Sequence, residues 1–278
     1  MPPGTTRWLA SSPPNRQDRV VSQPYLSLEA ELHDAFWATA DDASEVPLMA
    51  EFLKKFPGPA LEIGSGSGRL MFPLLALNLD VEGLELSPDM RALGASRAAQ
   101  LGLKPVVHAG DMSCWRAHHT YAALLAPAFT LQLASDPSAT LRHWHQLLEN
   151  HGGLYLTVFM PYAELLGDLP ENQWYPDHEV TLPDGRLGRL ETSHRLDRKN
   201  QLLHRHHRYS LSGNPPTSHQ SHQTIRWIEH SEILSLLKNS GFHLDRFFVD
   251  FDPSRVVDDP DITDFDGILT YQATRMPA

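Results

Sequence analysis

Three glycines at every second position, directly behind a short apolar run, restrict what this chain can fold into more than any other feature. Ala60-Leu61-Glu62-Ile63 leads into Gly64-Ser65-Gly66-Ser67-Gly68, and Leu70 to Leu77 then carries apolar residues at helical spacing. This pattern predicts a buried strand, a tight turn and the start of a helix. Glycine reaches positive φ freely and lets a ligand approach the backbone. The opening turn of a helix also offers N–H groups to an anionic or polar ligand. The spacing is not that of a dinucleotide site, where the third glycine follows the second by three positions.

Two more strand-like segments end in acids. Asp80 to Leu86 reads as a second strand closing on Glu85, at roughly the 20-residue distance where doubly wound folds place a ribose-binding carboxylate. Ser87-Pro88 then looks like a helix start, with serine at the N-cap and proline at N1. Val106 to Met112 supplies a third strand with Asp111 at its end.

The run LEIGSGSGRL…VEGLELSPDM…AGDM resembles the cofactor motifs of class I S-adenosylmethionine (AdoMet)-dependent methyltransferases, small-molecule type, over about Tyr25 to Thr274. The resemblance implies that Gly64, Gly66 and Gly68 line the methionine part of AdoMet and that Glu62 belongs to the cofactor site. It implies that Glu85 holds the ribose, that Leu86 covers one adenine face, and that Asp111 with Met112 frames the adenine. Two positions depart from the family. Ala122 stands where many relatives have Asp, and Leu133, in Phe129-Thr130-Leu131-Gln132-Leu133, where they have a histidine. A base at 133 is therefore absent, although in-line methyl transfer draws much of its rate from positioning.

The expected fold is α/β: a doubly wound, seven-stranded Rossmann-like methyltransferase sheet with N-terminal cap helices and an inserted small antiparallel β-sheet. Residues 1–23 offer little to bury and read as a disordered tail. The AdoMet-binding core takes 24–160 and 229–278, and the inserted sheet takes 161–228. Strands are expected at 60–63, 80–85, 105–108, 121–126 and 154–160, with helices at 68–78, 88–101 and 137–149 between them. Pro73 is expected to weaken or kink the first of these helices, and His151-Gly152-Gly153 to end the last. Residues 161–188 read as loop, followed by β-like segments at 190–196, 202–211 and 223–228 and a helix from 231. Phe242 to Val249 and Gly267 to Thr274 form the closing pair, with an acidic loop from 250 to 266 between them.

A net charge of −11 argues against nucleic acid as a partner, since phosphate binding needs a basic surface. No apolar stretch has the length of a membrane span, and the N-terminus lacks the apolar stretch of a signal peptide; a cytoplasmic protein without a membrane partner is expected. Cys114 is the only cysteine, read as a buried, inert thiol.

The substrate-proximal candidates are Tyr25, Arg69, Thr130, Gln132 and His206. Arg69 points into the cleft or pairs with Glu62. His204, His206 and Arg208 fall on one face of a strand, and Arg205, His207 and Tyr209 on the other. These histidines read as an exposed polar face, a homodimer contact, a base or a metal pair; no metal site is carried forward. The expected activity is methyl transfer from AdoMet to O or N of a small-molecule acceptor. Methylation of a protein and a silent AdoMet-binding subunit are the alternatives.

Overall fold

The computed structural model describes residues 25–37, 45–255 and 267–277. The expected tail at 1–23 and most of the acidic loop at 250–266 lie outside them.

Seven strands form the main sheet: β1 (Ala60–Ile63), β2 (Val81–Glu85), β3 (Val107–Ala109), β4 (Tyr121–Ala126), β5 (Leu148–Phe159), β10 (Phe242–Val249) and β11 (Ile268–Arg275). Their order is β10-β11-β5-β4-β1-β2-β3. The five N-terminal strands run parallel and β11 pairs antiparallel with both β5 and β10. All four residues of β1 and all six of β4 are buried, as expected of strands covered on both faces. Helices α3 (Met71–Ala76), α4 (Pro88–Leu101), α5 (Pro137–Leu147) and α7 (His230–Asn239) supply that cover. The chain passes to one side of β1 to reach β2 and to the other to reach β4, so the strand order reverses there. A ligand crevice is expected at the carboxyl ends of those two strands.

The cap is helical as expected. α2 (Glu45–Lys55) lays Met49, Phe52 and Leu53 on the core beside Leu70 and Leu74. α1 (Leu28–Trp37) instead buries Leu28, Leu32 and Phe36 against Leu190, Tyr209 and Leu211 of the second sheet.

That second sheet has four antiparallel strands, not three: β6 (Tyr175–Thr181), β7 (Leu187–Asp197), β8 (Leu202–Leu211) and β9 (Thr217–Arg226). β6, with the short α6 (Tyr162–Leu166), occupies the stretch expected to be loop. Pro176 disguises β6 in the sequence. At an edge a strand tolerates a residue without an N–H, and the register slips between Pro176 and His178.

Three boundaries differ for local reasons. α3 begins only at Met71, which puts Pro73 in the first turn, where its missing N–H costs nothing. Helix α5 stops at Leu147 and β5 starts at once, with Leu148 opposite Tyr121 before the register shifts. Gly152-Gly153 therefore lies inside a strand. A Cβ at Gly153 would stand 2.5 Å from the Phe56 ring and 2.6 Å from Phe52, so α2's close approach requires glycine there. Cys114 is exposed rather than buried.

Candidate active site

The turn after β1 is built as the glycines demand. Gly64, Gly66 and Gly68 have φ of 72°, 56° and 83°, a region that L side chains avoid. Glu85, at the end of β2, reaches under this turn. Its carboxylate accepts from the Gly66 N–H at 2.9 Å and the Ser87 N–H at 2.7 Å. Burial raises the Glu85 carboxyl, against the pull of the hydrogen bonds from Ser87 and Gly66.

α1 closes the crevice from above. Asp34 accepts from Ser67 Oγ at 2.7 and 2.8 Å and from Arg97 at 2.5 Å, which ties the helix to the glycine turn and to α4. The Ser27 N–H donates to Asp89 at 2.7 Å, and Ser87 Oγ donates to the Tyr25 carbonyl.

Two cavities result. The first, about 210 Å³, lies at the carboxyl ends of β1, β2 and β3 and is lined by Glu62, Gly64, Gly66, Glu85, Leu86, Asp111, Met112 and Thr130. The second, about 510 Å³, lies between the main sheet and the inner face of β6 to β9. Tyr25, His33, Arg69, Ala128 and Leu133 line both, so the cavities share a wall.

The structure thus brings together nearly every sequence candidate for the cofactor site. Gly68 is the exception: it lines neither cavity, and a Cβ there would fall 2.3 Å from the Phe72 ring, so it serves packing. Tyr25 and Arg69 stand on the shared wall. Gln132 lines neither cavity. It is buried, donates to the Phe159 and Arg226 carbonyls at 2.9 Å each and accepts from the Phe159 N–H at 2.6 Å, bracing the segment after β4 against β5 and β9.

His206 is also displaced. It is exposed and stands edge-on to His222 of β9, with ring centroids 4.2 Å apart. Among the described residues no group of three or more metal-binding side chains forms. The opposite face of β8 is the one that lines the second cavity, with Arg205, His207 and Tyr209.

Electrostatics differ between the two cavities. In the first, Glu62 is 2% exposed, and its Oε2 has no hydrogen-bond partner among the described residues. Burial pushes this carboxyl up to about 8; Arg69 pulls it down, while Glu45 and Glu85 add to the rise. In the second, Glu29 is pushed up to about 7 by burial, despite the hydrogen bond from Tyr209. Arg205 is spent on Glu164, which accepts from its Nε at 3.1 Å and from a terminal nitrogen. Burial lowers His207 to about 4, so it is neutral at physiological pH.

The residues missed by sequence reasoning are chiefly Glu29, His33 and Asp34. A signal was present: Tyr25, Glu29 and His33 recur every fourth position, off the stripe made by Leu28, Leu32 and Phe36.

The seven-strand order, the glycine turn and the three strand-end acids define the class I methyltransferase fold. Residues 60–152 match the family model described as a methyltransferase domain. Among curated proteins, an uncharacterized protein of Mycobacterium tuberculosis is 30% identical over 126 residues, covering 44% of this chain and 41% of that protein. The match thus spans about two fifths of the relative's length. Among solved structures, an S-adenosylmethionine-dependent methyltransferase from Clostridium acetobutylicum superposes with a TM-score of 0.73 at 14% identity, over 89% of this chain and 98% of the other. The sugar N-methyltransferase KedS8 from Streptoalloteichus does so with a TM-score of 0.68 at 16% identity, over 100% and 99%.

Proposed function

We propose that this protein transfers the methyl group of AdoMet to a nitrogen of a small, polar, amine-bearing acceptor. The observation that carries the reading is the shared wall: a cavity built like a cofactor site meets a larger one with carboxylates on its walls. The matched methyltransferase domain and the AdoMet-dependent and sugar-methylating neighbours support it.

The first cavity suits AdoMet on chemical grounds. Glu62 presents a buried, unpaired carboxylate oxygen, which an ammonium group would satisfy. Glu85 spends one contact of each oxygen on a backbone N–H. A carboxylate has about four acceptor positions, so it can also receive ribose hydroxyls. Leu86 and Met112 offer apolar faces to an adenine and Asp111 an acceptor to its amino group. When bound, AdoMet supplies a methyl group made electrophilic by the adjoining sulfonium.

The second cavity favours a cation. With Arg205 and Glu164 paired to each other, Glu45 and Asp177, and Glu29 where ionised, line it against Arg69. No lysine is among the described residues lining it. Phe36, Phe129, Tyr175 and Tyr209 add aromatic surface that suits sugar-like rings and ammonium groups alike. Alignment of donor and acceptor across the shared wall contributes to catalysis.

The test is methyl incorporation, followed by mass spectrometry, across paired amino sugars and their hydroxyl counterparts. Transfer to the amino members alone is expected. Equal transfer to the hydroxyl members would refute the assignment to nitrogen.

A further inference from the structure

The shared wall carries three titratable side chains, Tyr25, His33 and Arg69, and a methyl acceptor has to approach the reacting methyl across it. Arginine stays protonated throughout the physiological range. The Tyr25 phenol, pushed up to about 12 by burial and by Glu29, holds its proton too; its oxygen accepts from Gln223 at 2.9 Å. Histidine is the side-chain type that exchanges a proton near neutral pH.

His33 is also oriented. Its Nδ1 lies 3.2 Å from Asp34 Oδ1. Burial pushes the Asp34 carboxyl up, but hydrogen bonds from His33 and Ser67, together with the His33 and Arg97 charges, hold the group below its usual range. An ionised carboxylate only accepts, so Nδ1 carries the proton of this contact, and Nε2 is the other ring nitrogen available to proton transfer. Asp34 is itself fixed by Ser67 and Arg97. The Tyr25 ring meets His33 edge-on at 5.3 Å between centroids. The segment that shapes the cofactor cavity therefore also sets the direction of this imidazole.

Resting on the methyl-transfer reading above, we propose that His33 is the catalytic base, taking a proton from the acceptor nitrogen at the junction of the two cavities. An acceptor ammonium gives its proton to Nε2, and the freed lone pair forms the new N–C bond. The methyl–sulfur bond breaks with its electron pair going to sulfur, the sulfonium becomes a neutral thioether, and the imidazolium returns its proton to solvent. Charge and atoms balance without a further reactant. The charged and titratable groups around His33 are Glu29 and Asp34 on its own helix, Arg97 on α4 and Arg69 in the glycine turn. Lining the two cavities with it are also Glu62, Glu85 and Asp111 at the strand ends, Glu45 on α2 and Glu164 on α6, with Asp177 and His178 on β6 and Arg205, His207 and Tyr209 on β8.

The experiment compares wild type with His33→Gln, and with His33→Asn if the first melts early. It measures AdoMet affinity by calorimetry and the pH profile of kcat/KM with 2-, 3- and 4-amino hexoses as acceptors. In the S-adenosylhomocysteine complex it also follows the histidine ring resonances as the best of these sugars is added. The expected result is a loss of about 100-fold in kcat, with AdoMet affinity within threefold of wild type. The acid limb of the profile disappears, and one imidazole resonance that moves on sugar binding in wild type is missing from the variant. A variant that keeps kcat within threefold, keeps the acid limb, or loses AdoMet affinity in step with rate overturns the role of His33 alone. Wild-type protein that binds AdoMet and methylates none of the amino hexoses overturns the function beneath it as well.

Discussion

Glu62→Gln separates the cost of a buried carboxyl from its use. In the free protein burial lifts Glu62 from an ordinary 4.5 to about 8. The folded state thus binds this proton more tightly than the unfolded chain. The stability it contributes is full below about pH 4.5 and is lost as pH rises toward about 8. At about 1.4 kcal/mol per pH unit, the loss comes to no more than about 5 kcal/mol. The glutamine variant carries no such term. Its stability relative to wild type should therefore improve from about pH 5 to about pH 8, with a slope of up to about 1.4 kcal/mol per unit, read from urea melts at several pH values. Ligand binding reverses the benefit. Pairing with the AdoMet ammonium requires the ionised form, so wild-type affinity should climb roughly twentyfold between about pH 6 and about pH 7.5. The variant should bind at least about tenfold more weakly near neutrality, without that slope. Calorimetry in two buffers of different ionisation enthalpy would show wild type releasing a proton on binding. A flat affinity profile with no proton release, or a variant that binds as tightly as wild type, would refute the placement of Glu62 against the ammonium.

Other substitutions test other parts of the account. Gly66→Val puts a β-branched residue at φ 56° in the turn; circular dichroism should show a folded protein and calorimetry no AdoMet binding. Glu85→Ala removes the acceptor of the Gly66 and Ser87 N–H groups; AdoMet affinity should fall about tenfold or more while the thermal transition survives. Gln132→Leu cuts three internal hydrogen bonds; denaturant melts should show a loss of about 2–4 kcal/mol with AdoMet affinity unchanged. His206→Ala, on the exposed face of β8, should leave kcat and KM within twofold of wild type in the methylation assay.

The first cavity was legible because its signals are local. A glycine turn, strand-end acids and an N-cap each fit within a few residues, and the parallel core follows from apolar runs such as Tyr121 to Ala126. The second cavity was not, because it depends on long-range pairing. The face of β8 that looks inward is set by Leu203 and Leu211 burying themselves with Arg205, His207 and Tyr209 at the same parity. Leu202 breaks that alternation in the sequence, and His206 drew attention to the outer face. Gln132 looked functional beside Thr130 for a similar reason: its hydrogen-bond partners lie 27 and 94 positions away. The role of α1 depended on distance too. It packs on a sheet that begins near residue 175 and also contacts Ser67; its apolar stripe shows that it packs, but nothing within the helix shows against what.

The central claim is that two cavities meeting at Tyr25, His33 and Arg69 serve one reaction. A crystal structure with S-adenosylhomocysteine and the preferred amino sugar tests it most directly. The thioether sulfur is expected at that shared wall, facing the sugar nitrogen, with the ribose on Glu85. A sulfur turned away from the second cavity, or a sugar bound outside it, would contradict the account.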